Sequence, residues 1–128
     1  LSRRESTAAG KSWIERLKVR AIGDEAKVVE LSGGNQQKVV IAKSLIQDPE
    51  LIIFDEPTRG VDVGAIVEIH ELINSLADKG KAVVVISSYL PEIMALSDRI
   101  LVCRQGKVVE EFSALEATEE SIMYAAIH

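Results

Sequence analysis

With 128 residues, 47% of them hydrophobic, the chain has the material for one domain, or a piece of one, with a buried core. A net charge of -5 argues against a nonspecific nucleic-acid binder, which needs a basic face, and a single cysteine, Cys103, excludes an internal disulfide or a cysteine metal cluster. No apolar run is long enough to span a bilayer, nothing at the start has a signal-peptide layout, and a first residue other than Met fits a cut from something longer.

In chain order, "KSWIERLKV" reads as a short amphipathic helix with Trp13, Ile14 and Leu17 on one side, broken by Gly23-Asp24. Ser32 then predicts the N-cap of a helix whose apolar face is Val39, Ala42, Leu45 and Ile46, ended near Pro49. "LIIFDE" is a short, continuously apolar strand, a pattern that implies burial on both faces. Ile66, Ile69, Ile73 and Leu76 recur at helical spacing, and Gly80 is the C-terminal stop. "AVVVIS" is a second buried strand, and "PEIMALS" a short helix with Pro91 in its first turn. "RILVCR" and "KVVEEF" are strands joined by a Gln105-Gly106 hairpin turn, which leaves Cys103 as a buried, reduced thiol. Thr118 caps a last helix with Glu119 and Glu120 in its first turn. Strands alternating with helices predict an α/β fold with a parallel sheet.

Three stretches bear on chemistry. "GKS" at residues 10–12 has the form of the end of a phosphate-binding loop, but the first glycine of that pattern would fall on Glu5, whose carboxylate repels phosphate, and "LSRR" is no buried strand. Ser12 and Glu15 have capping-box spacing, so a helix start or a polar helix surface is the better reading. "LSGGNQQ" is different. Two glycines let a ligand approach bare backbone, and the start of a helix carries partial positive charge, so Ser32, Gly33 and Gly34 form a candidate anion site or else a simple turn and cap. "LIIFDEPTRG" ends a buried strand in adjacent carboxylates. Asp55 could hold Mg²⁺ and Glu56 could orient an attacking water in phosphoryl transfer; a pair of acids in a solvated loop is the bland alternative.

Together, "LSGGNQQKVVIAKSL" and "LIIFDEPTRGVD" resemble the signature motif and Walker B of an ABC-transporter ATPase, and "DEPTRGVDVGA" with "ISSYLPEIMALSDRI" narrows the resemblance to the second ATPase domain of bacterial sugar importers of the ribose, galactose and xylose type. The resemblance implies a partial P-loop NTPase (RecA-like) core. Residues 1–47 would be part of the helical subdomain, ending in the signature helix, and residues 48–128 the C-terminal part of the core. It implies ATP and Mg²⁺ as cofactors. Ser32, Gly33, Gly34, Asn35 and Gln36 would contact the terminal phosphate of an ATP held by the opposite domain. Asp55 would serve the magnesium, Glu56 would be the catalytic base, and Gly60, Val61 and Asp62 would form a loop crossing to the partner domain. Ser88 stands where many such ATPases carry a switch histidine; His70, mid-helix, reads as surface or interhelix packing, and His128 is terminal.

By the same resemblance the chain lacks Walker A and the glutamine loop, so by itself it is expected neither to bind ATP tightly nor to hydrolyse it. The implied partners are the other ATPase domain of the same subunit or a second copy, and membrane permease subunits, at the cytoplasmic face of the bacterial inner membrane. The central strand of the resembled sheet would lie between "AVVVIS" and "RILVCR", so self-association through unpaired strand edges is also expected. Two other readings stand beside sugar import. A soluble ABC ATPase of translation or DNA repair would bring basic patches or long heptad arms, which are absent from the sequence. A noncatalytic assembly module would lack ATP binding altogether.

Overall fold

Gly33–Leu45 forms the first helix among the described residues, α1, and Ile41, Ala42 and Leu45 along one stripe are buried. In the computed structural model the structure describes residues 33–128, and these fall into two compact units, one running to Val84 and one from Val85. Ser32 and the helix expected over "KSWIERLKV" lie outside the described residues.

Beyond α1 the chain reverses at Asp48, whose backbone is left-handed (φ 49°) and whose N–H donates to the Leu45 carbonyl at 2.9 Å. The Asp48 carboxylate accepts a 2.6 Å hydrogen bond from Lys81 Nζ, tying this turn to the residue before the second strand. The hydrogen bond and charge of Lys81 hold the Asp48 carboxyl below its ordinary value of 3.8. A lowered folded-state pKa gives stability that is present above the unfolded value and lost as pH falls through the folded one. Lys81→Met is therefore expected to lower the urea midpoint at pH 6 and to leave it closer to that of the unmutated chain at the acid end. An equal deficit at both pH values would assign the loss to packing instead of charge.

β1 (Leu51–Asp55) alternates: Ile52 and Phe54 are buried, while Leu51 and Ile53 remain 56% and 59% exposed. The continuous apolar run thus covers one face of the strand only, contrary to the expectation of two. α2 (Val63–Asp78) buries Ile69, Ile73 and Leu76 at the predicted spacing, with Ile66 half-buried. It ends in a Schellman motif. Gly80, at φ 87°, donates to the Ala77 carbonyl at 2.9 Å, and the Lys81 N–H reaches the Leu76 carbonyl at 3.1 Å. A β-carbon at this φ would be strained, which is why the predicted stop is a glycine.

β2 (Ala82–Ile86) pairs with β1, and the Ala82 N–H donates to the Glu50 carbonyl at 2.9 Å. Start meets start, so the two strands run parallel across a helical crossover, the expected α/β unit. β2 is half-buried at Val83 and Val85 and exposed at Ala82, Val84 and Ile86, again one face and not two.

In the second unit, α3 (Leu90–Leu96) carries Pro91 in its first turn as predicted. β3 (Arg99–Arg104) and β4 (Lys107–Ser113) form an antiparallel pair. Their two-residue turn places Gln105 at φ 50° and Gly106 at φ 75°, the double left-handed geometry of a type I′ hairpin. Ile100 and Val102 point into a core closed by Ala117 and Ile122, with Ile93, Met94 and Phe112 packed around it. The alternation corrects the reading of Cys103, which is exposed on the outer face of β3. α4 (Glu119–Ile127) starts with the predicted Thr118 cap. Thr118 Oγ1 accepts from the Ser121 N–H, and Ser121 Oγ accepts from the Thr118 N–H, both at 3.0 Å.

Candidate functional site

β1 delivers the two carboxylates. Asp55 is its last residue and is exposed at the C-terminal end of a parallel strand, where ligands of α/β sheets bind. Glu56 follows in a left-handed conformation, φ 49°, and is half-buried. A non-glycine residue there stores about 1–3 kcal/mol of strain, and such strain concentrates at functional positions. The surroundings hold it in place. Pro57 and Thr58 are buried, the Arg59 N–H donates to the Glu56 carbonyl at 3.2 Å, and the Val61 N–H donates to that of Thr58 at 3.1 Å.

Gly60 (φ 72°) turns the chain toward Asp62, the N-cap of α2. Asp62 Oδ1 accepts a 2.9 Å hydrogen bond from the Ala65 N–H. Asp62 therefore has a structural task of its own, whatever it meets across an interface. Asp62→Ala is expected to cost about 1 kcal/mol of stability and Asp62→Asn much less, as read from chemical denaturation midpoints. Equal midpoints for all three chains would mean that the cap does not contribute.

Gly33 and Gly34 open α1, with their N–H groups in the first turn, where four donors lack helical partners. Asn35 and Gln36 follow in the same turn, and the Gln36 side chain is half-buried. In the second unit Ser88 is exposed in the loop between β2 and α3, where Ser87 Oγ accepts the Tyr89 N–H at 3.0 Å. His70 is half-buried in the middle of α2, and His128 stacks on Tyr124 with ring centroids 4.6 Å apart.

No group of three or more His, Cys, Asp or Glu side chains suited to a metal occurs among the described residues. Among the described residues no helix is long and apolar enough to cross a membrane.

One feature of the site escaped the residue pattern. Lys38 lies on the buried stripe of α1 with Ile41, Ala42 and Leu45, and its ammonium pairs with Glu68 of α2. A lysine at i to a stripe of i+3, i+4 and i+7 is the signal that marks it, because a buried cation needs a partner.

The family model described as ABC transporter matches residues 3–59. The xylose import ATP-binding protein of Moorella thermoacetica is 55% identical over 114 residues, which are 89% of this chain and 23% of that protein. A ribose import ATP-binding protein of Rhizobium etli is 50% identical over 126 residues, 98% of this chain and 25% of its own length. The chain thus spans about a quarter of the length of the curated relatives it matches. Among solved structures, a dimeric bacterial ABC transporter cassette superposes with a TM-score of 0.77 at 28% identity, covering 89% of this chain and 49% of the cassette. A post-hydrolysis state of an ATP-binding cassette bound to ADP and Pi gives a TM-score of 0.78 at 28% identity and the same coverage.

Proposed function

We propose, from the premise that the chain belongs to the ABC transporter ATP-binding family, that it is part of an ATPase subunit that energises carbohydrate import. The observation that carries this reading is the end of β1: Asp55 at the mouth of a parallel strand pair, followed by Glu56 in a strained, supported backbone. Residues 1–47 then belong to the helical subdomain and residues 48–128 to the core of the ATPase domain.

In this assignment the amides of Gly33 and Gly34, with Ser32, Asn35 and Gln36, donate to the terminal phosphate of an ATP held by an opposite domain. The helix start adds favourable partial charge and no reorganisation. Asp55 holds Mg²⁺, which when bound neutralises phosphate charge. Glu56 accepts a proton from the attacking water, Asp62 lies in the loop that meets the partner domain, and Ser88 hydrogen-bonds phosphate. The remaining partners are membrane permease subunits, which would place the protein peripherally at the cytoplasmic face of the membrane.

The test is uptake. In a strain deleted for the full-length gene, entry of labelled xylose or ribose should fall, and it should return with the wild-type gene but not with Gly34→Asp. Normal uptake of both pentoses in the deletion strain, with the intact protein sedimenting with ribosomes, would overturn carbohydrate import in favour of a soluble role.

A further inference from the structure

We propose that Lys38 and Glu68 are positioning residues that set the axial register of α1 against α2. They would thereby fix the amides of Gly33 and Gly34 relative to the loop at residues 60–62. The inference rests on the functional reading above and adds residues that the reading does not use.

The geometry is specific. α1 and α2 pack on each other within the first unit. Lys38 lies about one helical turn beyond Gly34, while Glu68 lies within the first two turns after the Asp62 cap. The ion pair therefore joins the two helices close to the ends that carry the candidate phosphate contacts and the crossing loop. Lys38 is 4% exposed, so its ammonium has left water, and the Glu68 side chain, 41% exposed, reaches it from the rim.

Such a pair is a weak source of stability, since an apolar residue of similar volume can replace a buried ion pair at little cost. What an apolar contact lacks is direction. Ile41, Ala42 and Leu45 make contacts without directional preference, whereas a charge-assisted hydrogen bond fixes its donor against its acceptor. Displacement of donors by an ångström at a phosphate site is enough to lower turnover strongly. The directional contact thus sits nearest the helix start, and the apolar contacts follow it along the same stripe.

The experiment uses the full-length protein in its assembled transporter, with Lys38→Met, Lys38→Arg, Glu68→Gln and the Lys38→Met/Glu68→Gln double variant. Melting temperatures should stay near wild type in Lys38→Met, Lys38→Arg and the double variant and fall in Glu68→Gln, which takes the facing charge away from a buried ammonium. Measured below each variant's melting point, kcat for ATP should fall about tenfold or more with KM changed much less in Lys38→Met and Glu68→Gln. Lys38→Arg should keep most of the turnover, and the double variant should be no worse than the more damaged single one, as for two groups acting as one unit. Glu68 is partly exposed, so Glu68→Gln carries the test if Lys38→Met fails to fold. Wild-type kcat in folded Glu68→Gln, or losses that multiply in the double variant, would overturn the proposal. Gly34→Asp in the same assay separates the two levels. If it retains turnover, the reading of the helix start is wrong. If it is dead while the pair variants turn over normally, only the positioning role is wrong.

Discussion

Gly34→Asp in the full-length protein is expected to abolish ATP turnover nearly completely, while Glu56→Gln costs well short of the roughly 10²–10⁴-fold usual for a lost general base. The first half follows from electrostatics. Gly34 lies in the first turn of α1, where free N–H groups and the helix field favour an anion, and the substitution would put a carboxylate against the phosphate it is proposed to hold. The second half follows from Ser88. If ABC domains pair so that each signature serves the opposite ATP, then Gly34 completes one site, and the family resemblance assigns Asp55, Glu56 and Ser88 to the other. A serine hydroxyl at the switch position can hydrogen-bond but is shorter than imidazole and cannot take up a proton near neutral pH. The site with Glu56 is then slow or structural, and its base contributes little to the measured rate. Steady-state ATPase rates of the two variants in the assembled transporter decide this. A Glu56→Gln variant as inactive as Gly34→Asp would mean that Ser88 has not disabled its site.

The largest effect on stability is expected at Ile69. Its side chain is 0% exposed in the middle of α2, fully enclosed among the described residues of the first unit. Ile69→Ala removes three carbons from a fully enclosed position, where the surroundings relax only partially into the cavity left, and should cost about 2–5 kcal/mol. Ile69→Val keeps most of the volume and should cost about 0.5–1.5 kcal/mol. Val67, two residues away on the same helix, is 55% exposed, and Val67→Ala should stay within about 0.5 kcal/mol. Urea midpoints for the three variants test the ranking, and a Val67→Ala loss equal to that of Ile69→Ala would contradict the burial pattern. Since a domain has only about 5–15 kcal/mol in total, the Ile69→Ala loss is a large share of it.

Local chemistry made much of this fold readable. Gly80 was legible as a helix stop, Gln105-Gly106 as a hairpin turn, Pro91 as a first-turn residue and Thr118 as a cap, because each follows from the backbone freedom or hydrogen bonding of one or two residues. Burial was read less well where it depends on what lies across a face. Leu51 and Ile53 are as apolar as Ile52, yet only the inward-pointing one of the three is covered. Cys103 was misread in the same way, as one more member of an apolar run, although alternation along β3 sends it outward. The Lys38–Glu68 pair joins residues thirty positions apart, and no local rule connects them. The left-handed backbone of Glu56 was equally hidden, since the usual mark of that conformation is a glycine or asparagine and the sequence offers neither there. At the candidate site, the types and order of the acids and glycines were legible; the strain and the support around them required coordinates.

The outward position of Cys103 has a practical side. It is the only cysteine of the 128 residues and it is exposed. Air oxidation of this chain can therefore join two copies covalently but cannot form a bridge within one, so dimers made in this way should disappear on adding a reductant. The same thiol offers one attachment point for a maleimide dye or spin label on a two-stranded hairpin, giving a single-position reporter with no engineered cysteine.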